Sequence, residues 1–289
     1  MKRKYKIQTA LVLLSVGANA QAQDSLLKGA AATDGKTDVA NEGFEEVAAP
    51  QEVDDATELK VSAGGLFATG NSRSVAVTGT AKLRLRRAAN QFSADIAANY
   101  AESAADLESE REATVENYQA RVRYDRFLSE RWALFAAESF RRDRFQGLGL
   151  RMNFDPGVAH YLIVEPKHRL WAEAGYDMQY DIRLEQALAT AAEAGVPVEK
   201  TEVRHAARLF AGYDNQLNSH VTFYTGLEYL QAFSETKNWR FNWEAALTSA
   251  LSDSFSLSTT FNLRYDNNPL PLVKELDTVT AVSLVYTVR

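Results

Sequence analysis

From Glu58 to the C-terminus, apolar and polar residues alternate with a period of two. Residues 255–265 show it most plainly. Phe255, Leu257, Thr259, Phe261, Leu263 and Tyr265 fall on one side; Ser256, Ser258, Thr260, Asn262 and Arg264 fall on the other. Successive side chains of a strand point to opposite faces, so this segment has one oily and one wet side. The same phase recurs at Trp239, Phe241 and Trp243, at Leu170 through Ile182, at Phe92 through Tyr100, and at Tyr118 through Tyr124. Twelve strands are predicted: 58–69, 73–86, 90–102, 113–127, 131–146, 149–163, 167–184, 200–215, 220–235, 238–251, 254–267 and 277–288. Residues 131–146 fit least well, because Glu138, Arg142 and Arg144 share a face with Trp132 and Leu134; a bulge or a register change is expected there.

The strands exceed the 9–11 or so residues that cross a bilayer at a tilt. A soluble barrel would have to fill its interior with bulky rings from nearly every strand. The inverse assignment puts the rings in lipid and the charges in a lumen. Tyr100, Tyr124, Trp132, Tyr180, Tyr213, Trp239, Tyr265 and Tyr286 lie toward strand ends on the oily face, as aromatic girdles would. The expected fold is therefore all-β, a transmembrane antiparallel up-and-down β-barrel of about twelve strands. Connection lengths agree. With both termini in the periplasm, the long gaps 103–112, 185–199 and 268–276 all face outward, and every periplasmic turn is tight.

The wet face then lines the lumen. Its candidate lining is Arg121, Arg123, Glu173, Asp177, Asp181, Arg204, Arg208, Glu228, Arg240, Glu244 and Arg264. The full inward set of basic and acidic residues is close to balance, which predicts a salt-bridged polar core or a narrow pore rather than a strongly ion-selective one. Twelve strands stand between barrels that side chains fill and barrels that hold a water channel. Tyr161, Trp171, Phe210 and Tyr224 point inward and narrow the space.

The first 57 residues do not alternate. Met1 to Lys6 is basic, Ile7 to Val16 mostly apolar, and Ala18-Asn19-Ala20 and Ala20-Gln21-Ala22 offer cleavage sites. Residues 1–22 are expected to be a signal peptide for export, and 23–57 a disordered acidic periplasmic leader, with the barrel at 58–289. The destination is the bacterial outer membrane. The formal net charge is -6, and there is no cysteine. Nucleic acid is not an expected partner, and disulfide scaffolds, cysteine nucleophiles and cysteine-held metals are excluded.

Some residues resemble a known family. Gly64 to Ser72, with Thr69-Gly70-Asn71-Ser72 at its turn, is similar to the opening hairpin of the salt-induced outer-membrane protein family. This is a bacterial family built on a domain of unknown function. Tyr124-Asp125 and Asp277-Thr278 extend the resemblance across residues 58–289. It implies an outer-membrane barrel and a link to salt or osmotic stress, and implies no catalytic residues.

Other chemistry is sparse. A barrel hydrolase acting on lipid or peptide is the alternative function, but it needs a positioned base beside a nucleophile. His160, His168 and His220 fall near expected turns, and His205 shares the oily phase of its strand. No metal cluster or nucleotide fingerprint is present, so no cofactor is expected. Expected partners are outer-membrane lipid and the barrel assembly machinery. Arg142 and Arg144, at the external end of their strand, are candidates for the phosphates of lipopolysaccharide.

Overall fold

The computed structural model describes residues 55–68, 73–104, 110–269 and 275–288. The expected signal peptide, the leader up to residue 54 and the 69–72 turn lie outside the described residues.

The described residues form a closed barrel in which every strand pairs antiparallel with its sequence neighbour. The strands are β1 (Ala56–Ala68), β2 (Arg73–Arg87), β3 (Asn90–Ala104), β4 (Glu112–Phe127), β5 (Trp132–Asp143) and β6 (Leu148–Val164). They continue with β7 (His168–Arg183), β8 (Thr201–Gln216), β9 (Val221–Ala232), β10 (Trp239–Ala250), β11 (Phe255–Asp266) and β12 (Leu276–Val288). Pairing of β1 with β12, from Leu59↔Val288 to Ala63↔Leu284, closes the ring and leaves no open edge. All twelve expected strands are present. β1 begins at Ala56 rather than Glu58, inside the stretch assigned to the leader.

Alternation sets the two faces as expected. Ile96, Val282, Leu209 and Val203 are each more than half exposed on the outer wall. Arg123, Asp125, Glu173, Asp177 and Glu244 are buried inside. Tight turns at 88–89, 128–131, 165–167, 217–220 and 251–254 gather at one rim, hereafter the turn end. The longer connections gather at the other, the loop end. Rings collect near both rims. Phe255 packs on Tyr286 at 4.9 Å and Trp132 on His160 at 4.1 Å toward the turn end. Tyr229, Trp239 and Tyr265 form a ladder at 6.0 and 5.0 Å toward the loop end.

Two local features differ from the expectation. β5 stops at Asp143, not at residue 146. Asp143 Oδ1 accepts the backbone N–H of Gln146 at 3.1 Å, and Gly147 takes φ 68°, so the chain turns where alternation alone would carry on. The expected irregularity is there too, as a register shift between Arg141 and Asp143. Second, the 185–199 connection contains a helix, α1 (Glu185–Glu193). Its Ala-rich sequence favours helix, and Gly195 at φ 76° ends it. Val196 N–H reaches Ala191 O and Gly195 N–H reaches Ala192 O, which satisfies two terminal carbonyls.

Candidate functional site in the charged barrel interior

Four strands bring the centre of the site together. β4 supplies Arg123, β7 Glu173, β8 Arg208 and β9 Glu228, each in the inward phase. Arg123 Nη2 stands 2.9 Å from one Glu173 oxygen, and Arg208 Nη1 stands 2.8 Å from the other. Arg208 Nε also donates to Glu228 at 2.6 Å, and Arg123 grips Asp125 at 2.8 Å. The chain of charges therefore alternates in sign across the barrel. Arg123, Glu173 and Arg208 have side chains no more than 3% exposed. Charges this deep must be paired, and here each is.

Aromatic rings fill the space on the turn-end side of that network. Phe127, Phe135, Tyr161, Trp171 and Phe210 form one buried cluster, with Tyr224 packed against it. The Arg123 guanidinium lies 4.2 Å from the centre of the Phe135 ring, joining the ionic and aromatic layers. Arg86 covers Phe127 at 3.7 Å in the same way. Glycines make room for the rings. Phe135 lies against Gly157, its partner across the strand pair, and Trp171 lies against Gly212.

Two cavities flank these layers. The loop-end cavity holds about 250 Å³ and is lined by seven arginines and six carboxylates, among them Arg121, Asp177, Asp181, Glu228 and Arg240. The turn-end cavity holds about 360 Å³ and is lined largely by hydroxyls, with Lys60, Lys82, Arg84, Glu58, Asp95 and Glu244. The two share no lining residue.

Every sequence-predicted lumen residue faces the interior. Asp181 is held by Arg151 at 2.7 and 2.8 Å, and Asp177 by Asn153 at 2.6 Å with Arg240 at 3.7 Å. Arg204 pairs with Glu202 at 2.5 Å, and Arg204 and Arg264 both line the loop-end cavity. Glu244 belongs to the other cavity. Sequence reading missed Phe135 and Phe127 as interior rings. The signal was available, since Trp132 and Leu134 on the outer phase put Phe135 on the inner one.

Arg142 and Arg144 stay apart from this interior. Both are exposed, and Arg144 donates to Glu116 at 3.1 Å. His220 lines the turn-end cavity, and the other histidines are peripheral. His168 pairs with Glu165 at 2.9 Å in a turn, and His205 meets the Tyr176 hydroxyl on the outer wall. Ser219 Oγ lies 2.8 Å from His220 Nδ1, but among the described residues no carboxylate orients that imidazole.

Residues 61–288 match the family described as a protein of unknown function, DUF481. The chain belongs to that family. The family description names no activity. No curated protein matches the chain. Among solved structures it is similar to the NanC porin, at 12% identity and TM-score 0.46, covering 80% of this chain and 98% of that one. It is also similar to the translocator domain of autotransporter NalP from Neisseria meningitidis, at 9% identity and TM-score 0.47, covering 93% of this chain and 95% of that one. A third likeness is to an outer membrane channel from Pseudomonas putida F1, at 11% identity and TM-score 0.44, covering 85% and 97%. At these values the likenesses carry no argument about activity.

Proposed function

We propose that this family member spans the outer membrane as a barrel plugged by its own side chains. In its resting form it serves a structural role, and it becomes a narrow pore only when the plug moves. The observation that carries the membrane placement is the inverted wall. Large apolar side chains cover the outside between two aromatic belts, while most arginines and carboxylates of the strands are inside. In water such a wall would be one continuous exposed apolar patch, far beyond what soluble monomers show.

The plug is supported by the buried Arg123–Glu173–Arg208–Glu228 network and the ring cluster beside it. Passage of a solute would need those contacts to open. The near-balance of seven arginines and six carboxylates in the loop-end cavity favours no single ion sign. The salt or osmotic association rests on the family resemblance alone; a deletion strain should then lose fitness at high osmolarity and not at low. Export by a cleaved signal peptide and insertion by the barrel assembly machinery complete the proposal. The exposure of Arg144 supports a phosphate contact with lipopolysaccharide at the loop end.

Tryptophan quenching tests the placement. Trp132, Trp239 and Trp243 are on the outer wall and Trp171 is inside. In vesicles of brominated lipid, the folded chain should lose most of its fluorescence. A variant keeping only Trp171 should be quenched little. Equal quenching of both, or none of either, would contradict the inverted wall.

A further inference from the structure

Glu138 is out of place on the outer wall. Its neighbours across the strand pairs are Val122 on β4 and Phe154 on β6, both exposed and apolar. The other outward charges stand at strand ends. Arg87 and Arg126 lie at the turn end, and Glu102, Glu116 and Arg142 at the loop end. Most of these have partners: Arg126 meets Asn90 at 2.9 Å, Glu102 meets Tyr100 at 2.5 Å, and Glu116 meets Arg144 at 3.1 Å. Among the described residues, the side chains of Glu138 and Arg142 have no hydrogen-bonding or ionic partner. A carboxylate facing hydrocarbon is costly, and ionisable groups at that depth mark contacts.

We propose that the outer face of β5 is a two-fold interface with a second copy of this chain, in which Glu138 of each copy pairs with Arg142 of the other. The interface requires that the barrel lie in a membrane, as proposed above. Within one copy the two residues are four apart on one strand, about 13 Å, with Phe140 standing between them. Barrel strands tilt by about 35–45° from the axis. A two-fold axis along the bilayer normal, passing beside Phe140, crosses the two β5 strands. That crossing sets Arg142 of the partner subunit directly above Glu138, at a height difference of about 10 Å. An extended arginine reaching down and a glutamate reaching up span that height. The contact is self-complementary, as a two-fold interface demands, and both charges are paired by one operation. Ala120 and Ala136 beside them are small enough to let the two walls approach. Arg144, already engaged with Glu116, is left at the rim for lipid.

The absence of cysteine makes the test clean, because Phe140→Cys carries the only thiol. The full chain is examined in outer-membrane preparations with a short bifunctional maleimide. Heat-modifiable electrophoretic mobility verifies a folded barrel in each variant. Phe140→Cys should give a cross-linked dimer, and Leu257→Cys on β11 should not. Adding Glu138→Gln or Arg142→Gln should lower the dimer at least fivefold. The reversed pair, Glu138→Arg with Arg142→Glu, should restore it. A folded Phe140→Cys barrel that stays monomeric would overturn the proposal, as would a dimer indifferent to both Gln variants. Loss of co-purifying lipopolysaccharide from Arg142→Gln, with the cross-link unchanged, would give Arg142 to lipid and likewise overturn it. Absence of the folded barrel from the membrane fraction would instead overturn the membrane reading, and the interface with it.

Discussion

The indole of Trp171 lies on the backbone of Gly212. A Cβ placed on Gly212 would stand 2.2 Å from Trp171 Cζ2, closer than any side chain tolerates. The two residues are direct partners across β7 and β8. Phe210 and Tyr224 sit 6.1 and 6.4 Å from the indole and hold it in place. Gly212→Ala should therefore destabilise the folded barrel by about 1–3 kcal/mol through overpacking. Urea unfolding in lipid vesicles measures this. Combining it with Trp171→Leu should recover part of the loss, because the two residues are in contact.

Glu173 is the shared partner of Arg123 and Arg208. Glu173→Gln leaves two buried guanidiniums short of negative charge. Breaking a buried pair from one side typically costs about 3–5 kcal/mol, and the same unfolding assay should show a loss of that order. Added salt should not change the result, since buried pairs are screened far less than exposed ones. Glu185→Gln, which removes the exposed bridge to Lys200, should leave the unfolding midpoint where it is.

Much of this was legible in the alternation. A period of two fixes which side chains share a face, so the lumen residues Arg123, Glu173 and Arg208 could be assigned together before their strands were paired. The parity of loop lengths placed the rims for the same reason. Alternation says nothing of distance across the lumen. It could not show that Glu173 bridges Arg123 and Arg208, or that Phe135 lies under a guanidinium. Nor could it end β5 at Asp143, where one side-chain hydrogen bond and a positive φ at Gly147 outweigh the strand pattern. The length of the 185–199 segment does not reveal the α1 helix; its alanines and Gly195 carry that signal.

The outer wall gives a depth-dependent prediction. Leu227 lies near the middle of β9 and faces outward. Leu227→Arg should cost about 2–4 kcal/mol if that position is at the bilayer midplane. Phe255→Arg, at the turn-end rim, should cost about 0–1 kcal/mol from the same membrane effect. Equal penalties at both positions would show that no hydrocarbon layer surrounds the barrel.

The plug predicts a gain of function. Trp171→Ala with Phe135→Ala removes two large rings from the ring cluster of the interior. The double variant should leak small solutes from loaded proteoliposomes several-fold faster than the parent, with the heat-modifiable mobility of a folded barrel retained. Unchanged leakage would mean that the ionic network alone closes the lumen.

The most direct test of a plugged outer-membrane barrel is single-channel recording. The folded chain, inserted into a planar bilayer, should give no steady conductance steps, because the Arg123–Glu173–Arg208–Glu228 network and the rings beneath it separate the two cavities. Steady, uniform steps from the unaltered protein would show a lumen open to water and would contradict the account.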